Sequence, residues 1–131
     1  MIIIDTHVLL WWINDQNKLS EKAVNIINEQ IDKGVILVSS ISIWEICLLI
    51  KKDKISLNLD LDRWIEKVEK LPFLRFIPVN NQIAQKSVNL PGVFHSDPAD
   101  RIMVATAREK GAVFITSDEK IRKYQHVQTI W

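Results

Sequence analysis

Short, uninterrupted runs of β-branched and aliphatic residues alternate with longer helical patterns from one end of the chain to the other. IIID (2–5), VILVS (35–39), RFIPV (75–79), VFITSD (113–118) and VQTIW (127–131) read as strands, RFIPV being the weakest. A strand that is apolar at almost every position has no face to offer to water. It belongs in a parallel sheet covered on both sides. The expected class is therefore α/β, with a central parallel sheet of about five strands flanked by helices on both faces.

The segments between the strands carry helix punctuation. SEKAVNIINEQIDKG (20–34) has Ser20 as cap, Val24, Ile27 and Ile31 on one face, and Gly34 as stop. In LDLDRWIEKVEKL (59–71), Trp64, Val68 and Leu71 recur at i, i+4, i+7, and Pro72 closes the segment. DPADRIMVATAREKG (97–111) places Asp97 at the cap, Pro98 at the first helical position and Gly111 at the end. VLLWWI (8–13), SISIWEICLLIKKDK (40–54) and NNQIAQKSVNL (80–90) complete the helices. No repeat or linker divides the 131 residues, so one domain spanning 1–131 is expected. A chain of that length removes roughly two thirds of its unfolded surface from water.

In an open parallel sheet, ligands bind beyond the carboxyl ends of the strands. Asp5 ends the first run, and Ser39, Ser40 and Ser42 lead from the second run to Glu45. Asp97 and Asp100 open the helix before the fourth run, which Asp118 ends. Carboxylates from four segments thus meet on one rim if the strands pair as parallel neighbours. At ~5 Å and an effective dielectric near ~20, each such pair costs about 3 kcal/mol. A divalent cation relieves that repulsion most simply. All-oxygen ligation suits Mg²⁺ or Mn²⁺, whereas Zn²⁺ calls for His or Cys; phosphate chemistry follows.

Singly, each acid has a plainer reading. Ser42 and Glu45 fit a capping box, Asp97 and Asp118 fit helix caps, and Asp5 fits a turn. Their placement at one end of one sheet is what favours a metal site. Asp97, with the best claim to a cap, is assigned to a supporting position, and Asp100 to the ligand set.

DTHVLLWW (5–12), SSISIWEI (39–46), HSDPADRIMVATA (95–107) and ITSD (115–118) stand in an order and at separations that resemble a PIN domain. Within that superfamily the chain is similar to the VapC-type toxins of bacterial type II toxin–antitoxin pairs. The resemblance covers nearly the whole chain. It implies metal-ligating, catalytic acids at Asp5, Glu45 and Asp100, a fourth at Asp118, and an endoribonuclease dependent on Mg²⁺ or Mn²⁺. It also implies a five-stranded parallel sheet, a homodimer and a small antitoxin partner. A cation on these acids would lower the pKa of bound water and steady charge on phosphate oxygens. Thr6, Thr116, Ser117 and Arg101 are expected to support the site, Thr116 and Ser117 by fixing the Asp118 carboxylate and Arg101 by pairing with a carboxylate.

His7 and His95 lie two residues from Asp5 and Asp97, and an orienting role suits them better than ligation. His126 reads as surface. Lys51, Lys52 and Lys54, with Arg108, Lys110, Arg122 and Lys123 elsewhere, offer phosphate contacts, with a solvated face as the plain alternative. Trp11, Trp12, Trp44 and Trp64, four of five tryptophans, fall on helices, where core packing is the default. The run IWEICLLI (43–50) is apolar nearly all round, an expected contact for a second subunit or an antitoxin helix. Cys47, the sole thiol, is expected as a small buried hydrophobe. With no long apolar leader or anchor at the amino end, no membrane association and a cytoplasmic setting are expected. The net charge of +1 decides nothing about nucleic acid. Two other readings are an inactive PIN-like module that binds RNA or protein, and a Mg²⁺ phosphohydrolase of the haloacid dehalogenase type. The latter needs an Asp where His7 stands.

Overall fold

The computed structural model describes residues 1–131. Strands β1 (Ile2–Ile4), β2 (Ile36–Ser39), β3 (Leu74–Ile77), β4 (Val113–Ile115) and β5 (Thr129–Ile130) form one sheet in the order β3-β2-β1-β4-β5. Every pairing is parallel. Ile3 is in register with Leu37 on one side and Phe114 on the other.

Alternation along these short strands feeds two cores. Ile2, Ile4, Ile36, Val38 and Ile115 face α1 (Thr6–Asn14), α2 (Glu21–Lys33), α4 (Leu61–Glu69) and Ile46 of α3 (Ile41–Lys51). Ile3, Leu37, Ile77 and Phe114 face α5 (Asn81–Val88), α6 (Pro98–Lys110) and Ile121 of α7 (Glu119–Arg122). Both faces of the sheet are covered, which is why its central strands β1 and β4 are wholly apolar, whereas the outer strand β3 exposes Arg75. No helix is long and apolar enough to cross a membrane.

The local stop signals act as expected. Ser20 Oγ accepts from the Ala23 amide at 3.0 Å. Gly34 and Gly111 end α2 and α6 at positive φ, 107° and 62°, a backbone region closed to most side chains. The capping box at Ser42 and Glu45 does not form. Ser40 precedes α3 without a side-chain cap, and Ser42 lies inside the helix with its hydroxyl buried. Trp64 is a core residue; Trp44 is 52% exposed, in keeping with a run 43–50 that is more apolar than one packed face requires, and Cys47 is only half-buried, against the expectation. The remaining apolar side chains of 43–50 are buried or half-buried, so Trp44 is the one left largely uncovered.

The chain lays down β1, β2 and β3 outward in one direction, then returns to place β4 on the other side of β1. That reversal opens a crevice beyond the carboxyl ends of β1 and β4.

Candidate active site: a carboxylate cavity at the strand-order reversal

Asp5 follows β1 directly and caps α1. Its Oδ1 accepts from the amides of His7 at 2.7 Å and Val8 at 3.4 Å, while Oδ2 accepts from Thr116 Oγ1 at 2.5 Å. The side chain is buried, and burial pushes its carboxyl above the usual aspartate range, with the Thr116 hydroxyl the strongest opposing influence. Thr116 also accepts from the Asp118 amide at 3.0 Å. The sequence-based expectation that Thr116 fixes the Asp118 carboxylate is corrected: it fixes Asp5, and touches Asp118 only through the backbone.

Glu45 sits one turn into α3. Thr6 Oγ1 lies 2.5 Å from Glu45 Oε1 and 2.8 Å from Ser42 Oγ. With a single proton to give, the threonine donates to the carboxylate and accepts from the serine. Burial raises the Glu45 carboxyl; the charges of Asp5 and Asp97 raise it further, against the Thr6 hydrogen bond. Ser42, expected from sequence only as a cap, instead bonds to Thr6, 36 positions away.

Asp97 Oδ1 caps α6 by accepting from the Asp100 amide at 2.9 Å. Asp118 Oδ1 accepts from the Ile121 amide at 3.0 Å at the start of α7. Each thus commits one carboxylate oxygen to a helix end and leaves Oδ2 without a hydrogen bond, so the capping and ligand readings do not compete. Asp100, in the first turn of α6, is pushed up to about 7, by burial first and then by the charges of Asp97, Asp118, Glu45 and Asp5. His95 Nε2 stands 3.1 Å from Asp100 Oδ2, too far off line for a hydrogen bond.

One cavity of about 420 Å³ collects Asp5, Glu45, Asp97, Asp100 and Asp118. Thr6, Ser117 and Met103 contribute to its wall, as do His7 and Trp11, whose rings lie 5.7 Å apart on α1. Trp11, expected in the core, and Met103, with no role expected from sequence, both border the site. The available signal was spacing, four residues after His7 and three after Asp100, each on the face its neighbour shares. No lysine or arginine lines the cavity.

Arg101 points elsewhere. Its guanidinium donates to the carbonyls of Ser87 and Val88 and of Phe94 and His95, at 2.8 to 3.1 Å. The expected pairing with a carboxylate is therefore corrected; Arg101 fastens the loop that delivers Asp97.

The donor set fits a hard cation. The acids offer only oxygen, and the repulsion that raises Asp100 is of the kind a divalent ion removes. No three of these side chains are already drawn into a metal-ligating cluster. Binding would have to draw their oxygens inward.

A parallel α/β sheet with a carboxylate-lined crevice at its order reversal defines a class of acidic-site α/β proteins. The chain belongs to the PIN domain family, whose model matches residues 2–127. It is 31% identical to Ribonuclease VapC22 of Mycobacterium tuberculosis over 99% of this chain and 98% of that protein. Among solved structures, the fold is similar to FitAcB from Neisseria gonorrhoeae, with TM-score 0.69, 19% identity and coverage of 99% and 96% of the two chains. A toxin–antitoxin complex from Klebsiella pneumoniae gives TM-score 0.67, 17% identity and coverage of 97% and 95%.

Proposed function

We propose that this protein is a metal-dependent endoribonuclease that hydrolyses RNA phosphodiester bonds, and that it is the toxin of a toxin–antitoxin pair. The observation that carries the reading is the gathering of five carboxylates from separate segments into one cavity, in a chain similar over its whole length to a ribonuclease.

In this reading Asp5, Glu45 and Asp100 hold Mg²⁺ or Mn²⁺, Asp118 supplies a further carboxylate, and Asp97 supports them. Bound there, the ion would lower the pKa of a water and stabilise charge on the phosphate oxygens. The chain's own groups set the geometry. Thr116 and the His7 and Val8 amides lock the orientation of Asp5, and Thr6 locks that of Glu45. In the same reading Asp118, its Oδ1 held by the Ile121 amide, would use its free oxygen to orient the attacking water or to hold a second ion. Ser117 lines the same wall as a hydroxyl donor.

The toxin reading includes a homodimer and a small antitoxin, and a cytoplasmic site of action on cellular RNA. The Klebsiella pneumoniae neighbour, a toxin–antitoxin complex, supports the partner. Purified protein incubated with single-stranded RNA should cleave it with Mg²⁺ or Mn²⁺ and stop on chelation. Expression alone should arrest growth, and co-expression of the neighbouring small gene should relieve it. Intact RNA with every divalent ion tried would overturn the assignment. Sequencing RNA 5′ ends after brief induction would name the target.

A further inference from the structure

An RNA strand is a polyanion, yet the cavity it must enter presents five acids and no lysine or arginine. Cations near the mouth have to draw the backbone in. A second groove, of about 290 Å³, is continuous with the cavity, since Glu45 and Asp97 border both. It runs between α3 and the start of α6, with Trp44 and Leu48 on one side and Lys52 and Lys54 on the rim.

Three features suit this groove to nucleic acid. Trp44 is 52% exposed, and no other aromatic ring pairs with it. Lys52 and Lys54 are exposed and form no ion pair. The competing basic groove, with Lys86 and Arg108, shares no residue with the acid cavity, and its cations are engaged by Glu109 and the His126 carbonyl. An aromatic face beside unpaired lysines is the arrangement that holds single strands.

We infer that the groove between α3 and α6 is the subsite for the single-stranded RNA flanking the scissile phosphate, with one base stacked on Trp44 and the adjoining phosphates held by Lys52 and Lys54. The inference rests on the ribonuclease reading and adds a direction to it: the strand leaves the acid cavity past Glu45 and Asp97, along α3. A protein partner on Trp44 is the competing occupant, and continuity with the cavity together with the unpaired lysines favours RNA.

The test uses Trp44→Ala, Trp44→Phe and Lys52→Ala/Lys54→Ala in the full chain. For a single-stranded RNA that wild type cuts, KM should rise about tenfold in Trp44→Ala and in the double lysine variant, with kcat little changed, and Trp44→Phe should stay near wild type. With Asp5→Asn added to keep the RNA intact, the double lysine variant should flatten the dependence of log Kd on log salt by about 1.4, and Trp44→Ala should leave that slope alone. Wild-type KM in both variants, while wild type cuts RNA, would overturn the groove and spare the nuclease. Trp44→Ala that lowers the mass in solution would assign the face to a protein contact and overturn the inference. Wild type that neither binds nor cuts RNA would overturn both readings.

Discussion

Thr116 donates its hydroxyl to Oδ2 of Asp5 at 2.5 Å, joining the carboxyl ends of β4 and β1 across 111 positions of sequence. Because the Thr116 hydroxyl oxygen in turn accepts from the Asp118 amide, one buried threonine sets two acids at once. Thr116→Val keeps the shape and removes both bonds. Activity should fall about ten- to a hundredfold. The hydrogen bond lowers the Asp5 carboxyl, so its loss should also move the acid limb of the pH–rate profile to higher pH. Thr116→Ser should restore both; an unchanged profile would show that the bond does not tune Asp5.

Asp5→Asn retains an oxygen for the His7 and Val8 amides but loses the charge. Cleavage should drop on the order of a thousandfold or more, and Mn²⁺ binding should disappear from a calorimetric titration. Relief of the buried charge offsets the loss of the acceptor for Thr116, so the metal-free variant should stay folded with a Tm near that of wild type. Normal cleavage would remove Asp5 from the mechanism.

Asp100 titrates at about 7 in the fold and near its ordinary 3.8 when unfolded. Between those values the native chain binds a proton that the unfolded chain has released. The associated stability is therefore fully present below about pH 4 and is lost as pH rises through about 7. Burial shifts Asp5 and Glu45 in the same direction. Metal-free protein should lose Tm across this window, and Mn²⁺ should raise Tm more at pH ~7.5 than at pH ~5.5, where protons compete. A Tm that climbs through the window without metal would contradict the electrostatic account of the cavity.

Asp97 and Asp100 share the cavity wall but differ in local duty, since Asp97 caps α6 through Oδ1. An asparagine at 97 can still cap. Asp97→Asn should therefore keep activity within about tenfold and leave Tm nearly unchanged, whereas Asp100→Asn should cost at least about a hundredfold. The reverse ranking would exchange the two roles.

Arg101→Ala leaves the carbonyls of Ser87, Val88, Phe94 and His95 without their donor. A loss of about 3 kcal/mol in denaturant unfolding is expected, with faster proteolysis of the loop before Asp97. Lysine, lacking the planar fork, should not rescue it. Stability equal to wild type would show that the loop holds without the guanidinium.

Local chemistry made much of this readable in advance. Ser20, Gly34, Gly111 and the Asp97–Pro98 pair mark helix ends because a cap or a positive φ is satisfied within a few residues. The acids at the strand ends were visible because parallel sheets place ligands there. Ser42, Arg101 and Thr116 were misassigned for one shared reason: each had a plausible neighbour in sequence, and each took a better partner elsewhere. Thr6 claims Ser42, the last carbonyls of α5 and two in the following loop claim Arg101, and Asp5 claims Thr116.

Apolar runs without alternation, broken by capped helices, required a parallel sheet buried on both faces and put acids at its carboxyl end. The folded chain alone decided that β4 returns beside β1, that Trp44 stays in solvent, and that Asp97 and Asp118 each keep one oxygen free. Period and capping act over a few residues and are written in them. Desolvation and the choice among competing hydrogen-bond donors depend on groups tens of positions away, and these take effect only once packing has brought them together.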